Sequence, residues 1–221
     1  QIVNPPHGNA ISVVTDTITF NPDNDFKPGE TIQVIATDGI QNTLAEPSQQ
    51  RVWEFRTAAT GGSGLFNDSG QSLGDHRGES VSLGDVDGDG DLDAFVANNG
   101  GNRVWRNDGS GNFTDSGQSL GNRSSYGVSL GDVDDDGDLD AFVANYDQDN
   151  RVWLADGSGN FTDSGQNLGN HSSYDVSLGD VDGDGDLDAF VANYNQGNLV
   201  WLNDSGGNFT DSGQGLGNHS S

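Results

Sequence analysis

A repeat of 47 or 48 residues organises the chain after residue 65. The segment Phe66-Asn-Asp-Ser-Gly-Gln recurs, with Thr in place of Asn, at Phe113, Phe161 and Phe209. Residues 113–160 and 161–208 are identical at 38 of 48 positions. Periods of about 40–50 residues are typical of arrays of supersecondary units, such as the four-stranded blades of propellers. The sequence therefore predicts units at 66–112, 113–160 and 161–208, with the start of a fourth at 209–221.

Each unit is predicted to consist of strands and tight turns. In the first unit, alternating or apolar runs predict strands at 81–84, 94–98 and 103–106, and a fourth strand that begins at Phe113. The run at 94–98 suits a strand that is buried on both faces. Trp105, Trp153 and Trp201 occupy equivalent positions, and we expect them to pack between neighbouring sheets. No segment has sustained helical periodicity, so the expected fold class is all-β.

Residues 1–58 are predicted to form a separate domain. They lack the repeat, and strand-like runs occur at 11–14, 17–20, 31–36 and 51–56. Residues 59–65 are rich in Gly and predict a flexible linker between the two parts of the chain.

The acidic residues are concentrated in three loops. The chain has 35 acidic and 8 basic residues, which give a formal net charge of −27. Only four of the acids are Glu, and 16 of the 31 Asp residues lie within 85–93, 132–140 and 180–188. A disordered acidic tail would spread its charge in mixed blocks. Periodic clusters of Asp instead predict cation binding.

Each cluster has the pattern Asp-x-Asp-x-Asp-Gly-Asp-Leu-Asp; we call these clusters Asp loops 1, 2 and 3 in chain order. Calcium takes about six to eight oxygen ligands, whereas magnesium prefers octahedral sites that keep several waters. We expect carboxylates from positions 1, 3, 5 and 9, the backbone carbonyl of position 7, and a sharp turn at the Gly of position 6. An EF-hand would need Glu at position 12, where this chain has Val. The sequence therefore predicts three Ca²⁺ ions, one per loop, with the candidate ligands Asp85, Asp87, Asp89, Asp91, Asp93, Asp132, Asp134, Asp136, Asp138, Asp140, Asp180, Asp182, Asp184, Asp186 and Asp188.

The composition excludes several classes of function. A nucleic-acid surface needs a basic face, and the negative charge also disfavours docking on anionic lipid. No stretch approaches ~18 consecutive apolar residues, so we expect no membrane insertion. The chain has no Cys, which excludes disulfides and thiolate chemistry. No Ser/His/Asp set stands apart from the repeat pattern, and we expect no enzymatic activity.

The motif around each Asp loop resembles a known family. The run Leu83-Gly-Asp-Val-Asp-Gly-Asp-Gly-Asp-Leu-Asp-Ala-Phe-Val-Ala-Asn, followed by Arg103-Val-Trp-Arg-Asn-Asp-Gly-Ser-Gly-Asn-Phe-Thr-Asp, is similar to FG-GAP/VCBS repeats, and the resemblance covers residues 66–221. It implies three β-propeller-type blades with calcium in the loop between the first two strands, held by the Asp positions named above. Asp135 replaces the usual Gly at position 4 of Asp loop 2, and we expect it to face outward.

The first 58 residues resemble a bacterial Ig-like domain more weakly. The resemblance rests on Ile18-Thr-Phe-Asn-Pro, Phe26-Lys-Pro-Gly-Glu-Thr-Ile, Asp38-Gly-Ile-Gln-Asn and Trp53-Glu-Phe-Arg-Thr. A sandwich of that kind takes about 100 residues and seven strands. We therefore expect a partial Ig-like β-sandwich whose opening strands are missing from this chain, which begins at Gln1 as a mature or trimmed product would.

Bacterial members of the repeat family are mostly secreted or surface-attached proteins linked to adhesion. The resemblance therefore implies a calcium-stabilised extracellular or cell-surface module of a bacterium, with a structural or adhesive role. Closed propellers have about four to eight blades, so three blades cannot seal a ring and invite head-to-tail pairing with other protein chains, as in a filament. Two alternatives stay open: that the chain is a fragment of a longer protein, and that it is a segment of a polysaccharide-degrading enzyme that binds surface glycans.

Asn-x-Ser/Thr sequons are candidate glycan acceptors in a secreted protein, although the turns of the repeat by themselves account for this pattern. They stand at Asn67, Asn112, Asn122, Asn160, Asn170, Asn203, Asn208 and Asn218.

Overall fold

The computed structural model describes residues 67–217 together with four N-terminal strands at 10–14, 17–21, 31–36 and 51–56. These residues form β-strands and connecting turns, with no helix among them. The chain divides into two compact units, Gln1–Asp68 and Ser69–Ser221. The expected all-β class is confirmed for the described residues.

The N-terminal unit contains two antiparallel strand pairs. Strand β1 (Ala10–Val14) pairs with β2 (Thr17–Asn21), and β3 (Thr31–Ala36) pairs with β4 (Arg51–Arg56). All four strands lie where the sequence predicts them. The rest of the expected Ig-like domain at 1–58 and the linker at 59–65 fall outside the described residues, so both assignments stay predictions.

The C-terminal unit contains the repeated strands. Runs of alternating or apolar residues, many with β-branched side chains, form these strands, and Gly-rich or Asp-rich turns end them. In chain order they are β5 (Gly78–Gly84), β6 (Asp93–Asn107), β7 (Phe113–Asp115), β8 (Leu120–Gly131), β9 (Asp140–Asn145), β10 (Gln148–Ala155), β11 (Phe161–Asp163), β12 (Leu168–His171), β13 (Ser173–Gly179), β14 (Asp188–Asn193), β15 (Leu199–Leu202) and β16 (Thr210–Asp211).

These strands build three antiparallel sheets that follow the repeat. Sheet 1 consists of β5, β6 and β7, and the long strand β6 pairs with β5 through its first part and with β7 through its last. Sheet 2 runs in the order β8, β9, β10, β11, and sheet 3 in the order β13, β14, β15, β16. The strands predicted at 81–84, 94–98 and 103–106 lie within β5 and β6, and the one predicted at Phe113 is β7.

Backbone pairing links each sheet to the next. The first part of β8 pairs with the middle of β6, where Asn99 faces Ser124, while its second part is the first strand of sheet 2. Hydrogen bonds between β6 and β8 thereby join sheets 1 and 2 into one eight-stranded sheet that also includes β12. Strand β12 pairs with β10 in the same way, but a break at Ser172 separates it from β13. The segments that introduce sheets 2 and 3 are therefore anchored on the preceding sheet.

Two apolar cores lie between consecutive sheets. We call the face that a sheet turns towards the preceding sheet its leading face, and the opposite one its trailing face. The first core joins the trailing face of sheet 1, including Phe95 and Val104, to the leading face of sheet 2, including Val143 and Trp153. The second core repeats this arrangement between sheets 2 and 3 and includes Trp201. The packing role expected for Trp153 and Trp201 is therefore confirmed.

Strand β9 lies at the centre of this arrangement. All six of its residues are buried, with Val143 in the first core and Phe142 in the second. The burial of alternate side chains in opposite cores follows from the two-residue period of a strand. A strand that is covered on both faces needs apolar side chains on both, and residues 141–144 supply them here between the buried polar ends Asp140 and Asn145.

None of the residues described by the structure belongs to a helix that is long and apolar enough to cross a lipid bilayer.

Candidate metal centres

Each Asp loop connects the first and second strands of a sheet. Asp loop 1 joins β5 to β6, Asp loop 2 joins β8 to β9, and Asp loop 3 joins β13 to β14. Because the paired strands are antiparallel and the three sheets are equivalent, each loop lies at the same end of its sheet. The repeat therefore places three similar acidic turns along one edge of the unit.

The backbone of the loops turns sharply at position 6. Gly90, Gly137 and Gly185 have φ values of 88°, 95° and 105°, in the region where a side chain is strongly disfavoured. Position 4 is also left-handed, and Asp135 adopts a φ of 60° there although it carries a side chain. The side chain of Asp135 is exposed, in agreement with the expectation that it faces outward.

The carboxylate at position 9 fastens the loop to the sheet. Asp93 is completely buried; its Oδ2 accepts the amide N–H of Val86 at 3.1 Å, and its Oδ1 accepts that of Asn107 at 2.8 Å. Asp140 and Asp188 accept the same two kinds of bond, from position 2 of the loop and from the end of the third strand. This residue therefore closes the loop and ties the second strand to the third.

The carboxylate at position 1 organises the turn. The Oδ1 of Asp85 accepts the N–H of Gly88, and its Oδ2 accepts that of Gly90, both at 2.9 Å. Asp132 accepts the N–H of Gly137 at 3.0 Å, and Asp180 accepts that of Gly183 at 2.7 Å. Each of these contacts holds the loop curved around its carboxylates.

In each loop three carboxylates converge, with one oxygen from each lying within 4.8 Å of the other two. Positions 1 and 3 belong to all three clusters. Loops 1 and 3 add position 9, and loop 2 adds position 5. The clusters are Asp85, Asp87 and Asp93; Asp132, Asp134 and Asp136; and Asp180, Asp182 and Asp188.

The other predicted ligands lie outside these clusters. At position 5, Asp89 and Asp184 each accept the N–H of the position-7 residue, at 2.8 and 3.0 Å. At position 7, the carboxylate of Asp138 lies against Gly157 in the turn before β11, so closely that a Cβ on that glycine would be 2.5 Å from Oδ1. Asp140 of loop 2 also lies outside its cluster, although it accepts the same two kinds of backbone bond as Asp93 and Asp188.

Three carboxylate oxygens in the clusters lack the partners that buried oxygens normally have. The Oδ1 atoms of Asp87, Asp132 and Asp134 are buried and accept no hydrogen bond from the residues that the structure describes. An anionic oxygen that is removed from water without a hydrogen bond is costly, and a bound cation would compensate it. These oxygens are therefore suited to metal ligation.

Burial and mutual repulsion raise the pKa values of the loop carboxylates. Burial raises the pKa of Asp140 from 3.8 to about 6, with a smaller contribution from Asp134 and Asp136, although two backbone N–H donors oppose the change. Burial likewise raises the pKa of Asp85 and of Asp93. The anionic form of these carboxylates is therefore destabilised, and binding of either a proton or a metal ion would neutralise it.

Loops 1 and 2 are each covered by the following sheet, through the turn between its third and fourth strands, which we call its outer turn. The Nδ2 of Asn203, in sheet 3, donates to the backbone carbonyl of Val133 in loop 2 at 2.7 Å. A Cβ on Gly207 would lie 3.3 Å from the Cβ of Asp134. Sheet 2 covers loop 1 in the same way through Gly159, whose Cβ would lie 3.1 Å from that of Asp87. Loop 3 has no such cover among the described residues, and Asp180 and Asp182 are exposed.

The donor set fits calcium. Hard carboxylate oxygens in a flexible loop suit a large divalent cation, which also takes backbone carbonyls and water as ligands. Each Ca²⁺ adds two charges, so three ions would change the formal charge from −27 to −21. A bound ion would neutralise the converging carboxylates and favour the curved loop.

A tyrosine cluster was not predicted from the sequence. All four tyrosines of the chain lie together at the opposite end of sheets 2 and 3 from the Asp loops, and neighbouring ring centroids are 5.1–5.6 Å apart. Tyr126 and Tyr174 stand at bulges of β8 and β13, and Tyr146 and Tyr194 directly follow β9 and β14. The recurrence of Tyr at the same two repeat positions was the signal that could have revealed the cluster. The tyrosines of the two sheets lie close together only because the sheets stack on each other.

The sequons differ in accessibility. Asn112, Asn160 and Asn208 lie at exposed positions in equivalent turns. Asn203 is only 6% exposed, and its amide donates to Val133, so it is poorly placed to accept a glycan.

The fold and the sites define an all-β protein of tandem sheets, each with one Asp-rich loop between its first two strands. The family model of FG-GAP-like repeats matches residues 85–143 and 132–191, so this part of the chain contains two FG-GAP-like repeats. Each match starts at the first Asp of an Asp loop and ends in the second strand of the next sheet. FG-GAP repeats are typical of extracellular proteins and often bind calcium. A search of curated proteins found no match.

Proposed function

We propose that this chain is a calcium-stabilised, extracellular structural or adhesive repeat module without enzymatic activity. One Ca²⁺ binds in each Asp loop, and the three sheets are β-propeller-type blades that follow a partial Ig-like domain at 1–58. The observation that carries the proposal is the convergence of carboxylates in each loop, with buried oxygens of Asp87, Asp132 and Asp134 that accept no hydrogen bond from the described residues.

The role of calcium in this proposal is to complete folding. Hydrophobic residues make up 31% of the chain, below the ~45–50% of an average domain, so apolar burial alone gives little stability. A ligand that binds only the folded state at 100 times its Kd contributes about 2.7 kcal/mol per site. Three sites would then contribute roughly 8 kcal/mol, which is comparable to the whole stability of many domains. The module is therefore folded in the calcium-rich extracellular space and weakened elsewhere.

Chelation tests this proposal. With roughly 2–4 °C of melting temperature per kcal/mol for a domain of this size, removal of all three ions lowers the melting temperature by about 15–30 °C. Calorimetry with EGTA, then with added Ca²⁺ or Na⁺, measures the change, and only Ca²⁺ restores the melting temperature. Coincident melting curves with and without EGTA would refute calcium stabilisation.

Native mass spectrometry tests the sites themselves. The unaltered chain should carry three Ca²⁺ ions. Asp182→Asn should remove the ion of loop 3 and leave two, because Asp182 belongs to that cluster. The control Asp115→Asn changes an exposed Asp of β7 outside the loops, so it should keep all three ions. Equal occupancy in both variants would contradict the assignment.

A second candidate function, glycan binding, is favoured by the tyrosine cluster. Tyr174 and Tyr194 are 41% and 43% exposed, and their rings present a broad aromatic surface. The apolar C–H faces of pyranose rings stack on such surfaces, and nearby polar groups fix their orientation. The side chain of Asp147, which accepts a hydrogen bond from Ser172, lies beside the cluster.

A glycan array followed by titration distinguishes this function from a purely structural one. Glycan binding predicts specific retention that Tyr174→Ala weakens by about 5- to 30-fold, since one stacked ring contributes on the order of 1–2 kcal/mol. Asn99→Ala changes the residue of sheet 1 equivalent to Tyr146 and should leave affinity unchanged. If no glycan is retained, or if both variants behave alike, the cluster has only a packing role.

A further inference from the structure

Within the described part of the C-terminal unit, the first and last faces of the sheet array have no further sheet stacked on them. On the leading face of sheet 1, Leu83 and Leu92 are each 57% exposed, and Val81 is 59% exposed. On the trailing face of sheet 3, Val181 is 54% exposed and Phe190 38%. Their equivalents in the two internal interfaces belong to the apolar cores or pack against them.

The internal interfaces share a leucine–glycine contact. A Cβ on Gly84 of sheet 1 would lie 2.7 Å from Leu139 and 3.1 Å from Leu130 of sheet 2. Gly131 of sheet 2 meets the equivalent pair, Leu187 and Leu178 of sheet 3, at 2.7 and 3.0 Å. Two leucines of one leading face therefore fill the space above a glycine of the preceding trailing face, and any side chain at that glycine would obstruct them.

The two ends carry the separate halves of this contact. Gly179 of sheet 3 is the equivalent glycine, and nothing lies within 4 Å of the position of its Cβ. Leu83 and Leu92 of sheet 1 are the equivalent leucines, and both are exposed. One end face thus presents the knobs, and the other the hole that receives them.

An edge-to-face phenylalanine pair gives the same result. Phe95 of sheet 1 packs against Phe161 at 5.3 Å between centroids, and Phe142 of sheet 2 packs against Phe209 at 5.2 Å, with ring planes 81° and 82° apart. Phe190 of sheet 3 is the equivalent of Phe95 and Phe142, and it is 38% exposed. Phe113, on the leading face of sheet 1, is the equivalent of Phe161 and Phe209.

A cleft lined by both apolar and polar residues lies against the same sheet as the exposed leucines. A space of about 270 Å³ lies against sheet 1, and Leu73, Val96 and Trp105 are among the residues that line it. Their equivalents at sheet 2, Leu120, Val143 and Trp153, are buried in the first core. The cleft is therefore the place that the trailing face of a preceding sheet fills elsewhere in this chain.

From these features we propose that the trailing face of sheet 3 binds the leading face of sheet 1 of a second copy of this chain. The contact continues the interface already formed twice within the chain, with Leu83 and Leu92 over Gly179 and with Phe113 against Phe190. The exposed leucines, the glycine with empty space above it and the two phenylalanines all belong to this chain. Another copy of the chain therefore offers the surface that complements each end face.

The same contact completes Asp loop 3. The turn at 108–112 of the second copy takes the position that the turn at 156–160 takes over loop 1. Asn107 of that copy is the equivalent of Asn203, whose amide donates to the carbonyl of Val133 in loop 2. At the new interface, the carbonyl of Val181 in loop 3 takes the place of the carbonyl of Val133 as the acceptor.

The contact is head-to-tail, so each copy has one free face of each kind. If two copies close on each other, they form six sheets, within the range of about four to eight that closed propellers use. If the rotation does not close, the product is a filament. The contact between copies depends on the apolar end faces and not on the Asp loops.

Analytical ultracentrifugation of the full chain in Ca²⁺ and 0.15 M salt tests the contact. This ionic strength screens the repulsion between the two acidic copies over about 8 Å. We expect concentration-dependent dimers or longer assemblies. Leu83→Asp and Phe190→Asp each place a carboxylate in the buried interface, so each should raise the dissociation constant roughly 100-fold. The control Thr162→Asp adds the same charge on an exposed residue of β11 and should associate normally.

A mixing experiment identifies the head-to-tail geometry. The Leu83→Asp variant keeps an intact trailing face, and the Phe190→Asp variant keeps an intact leading face. An equimolar mixture should therefore form a 1:1 complex that does not grow further, while each variant alone stays monomeric. A symmetric interface between like faces would not give this complementation, and its failure would overturn the proposal.

Two other results would also overturn it: monomers of the unaltered chain at all concentrations, or unchanged association of both variants. Because both substituted residues are exposed in the single chain, circular dichroism should show normal folding. The number of bound Ca²⁺ ions is measured in parallel by native mass spectrometry. Association without calcium binding would refute only the proposed function, and three bound ions without association would refute only this contact.

Discussion

Sheets 2 and 3 come from nearly identical sequences but lie in different surroundings. Residues 113–160 and 161–208 agree at 38 of 48 positions. Phe142 of sheet 2 is completely buried, whereas the equivalent Phe190 of sheet 3 is 38% exposed. Val133 and Val181 differ in the same direction. Burial in this array therefore depends on which sheet stacks next, and not on the local sequence alone.

The Asp loops of these two sheets show the same difference. Asp132 and Asp134 are half-buried beneath the outer turn of sheet 3, which includes Asn203 and Gly207. The equivalent carboxylates of loop 3 are exposed. The candidate ligands have the same chemistry, but their desolvation differs, and desolvation affects both proton and calcium affinity.

The largest difference is expected for truncation of the two phenylalanines. Phe142→Ala leaves a cavity between two packed sheets and should cost about 3–5 kcal/mol of unfolding free energy. Phe190→Ala removes a ring that is already 38% exposed and should cost only about 1–2 kcal/mol of unfolding free energy. Denaturant unfolding in calcium, at high dilution so that association does not contribute, measures both. Equal losses would show that the trailing face of sheet 3 is covered in solution.

The second prediction concerns pH, through the buried Asp140 of sheet 2. Its pKa is about 6 in the folded chain and 3.8 in its ordinary state, so between pH 4 and 6 the native state holds a proton that the unfolded state has lost. Stability of the calcium-free chain should therefore fall by roughly 2–3 kcal/mol as the pH rises through this window. With calcium the trend should reverse, because protons compete with the ion for the loop carboxylates.

Thermal melts at pH 4.5 and pH 7, with Ca²⁺ or EGTA, measure this effect. The melting temperature gained from calcium should be larger at pH 7. A gain that is the same at both pH values would contradict linkage between the protonation of these carboxylates and the metal sites. Asp108, Asp156 and Asp204 do not disturb the test, because hydrogen bonds from neighbouring Asn side chains lower their pKa values, so they titrate below the window.

Local pattern was sufficient to predict the strands and the loops. The 47- or 48-residue period predicts the recurring strands, and the Asp alternation with Gly at position 6 predicts a turn whose carboxylates converge. These features depend on residues that are close in sequence, such as Asp85 and Gly90, whose hydrogen bond lies within one loop. The structure agrees with the sequence where both partners belong to the same strand or loop.

Contacts between a loop and a distant strand or turn, and contacts between sheets, could not be predicted in this way. The roles of the five loop positions differ because Asp93 is drawn into the sheet by the third strand, and Asp138 lies against a turn some 20 residues away. The tyrosine cluster and the cover over loops 1 and 2 depend on the stacking of neighbouring sheets. A single repeat contains no direct information about the rotation between sheets, so these features need the assembled structure.

The third prediction uses the glycines that receive the leucine pairs. Gly131→Ala places a Cβ 2.7 Å from Leu187 and should cost about 1–3 kcal/mol, because the packed sheets have to separate or the leucines have to shift. Gly179→Ala should be nearly neutral in the isolated chain, since nothing lies within 4 Å of the new atom. Chemical denaturation compares the two variants. Equal destabilisation would mean that the cost arises from the strand backbone and not from contact between sheets.

The smallest expected effect extends the comparison to sheet 1, where Arg106 occupies the position of Leu154 in sheet 2. The Nε of Arg106 lies 3.7 Å from Oδ2 of Asp87, a carboxylate of the loop 1 cluster. A positive charge beside a candidate ligand opposes calcium, so Arg106→Leu should tighten binding in loop 1 by about 1.5- to 5-fold, corresponding to roughly 0.2–1 kcal/mol. Arg103→Leu removes the same charge farther along β6, at the position where sheet 3 has Leu199, and serves as the control. Calcium titration followed by NMR, with the amide of Gly88 reporting on loop 1, should show tighter binding only for Arg106→Leu. Similar tightening in both variants would assign the effect to the net charge of the chain. Weaker binding in Arg106→Leu would mean that the hydrogen bond from Arg106 to Ser158 holds the loop in its calcium-binding shape.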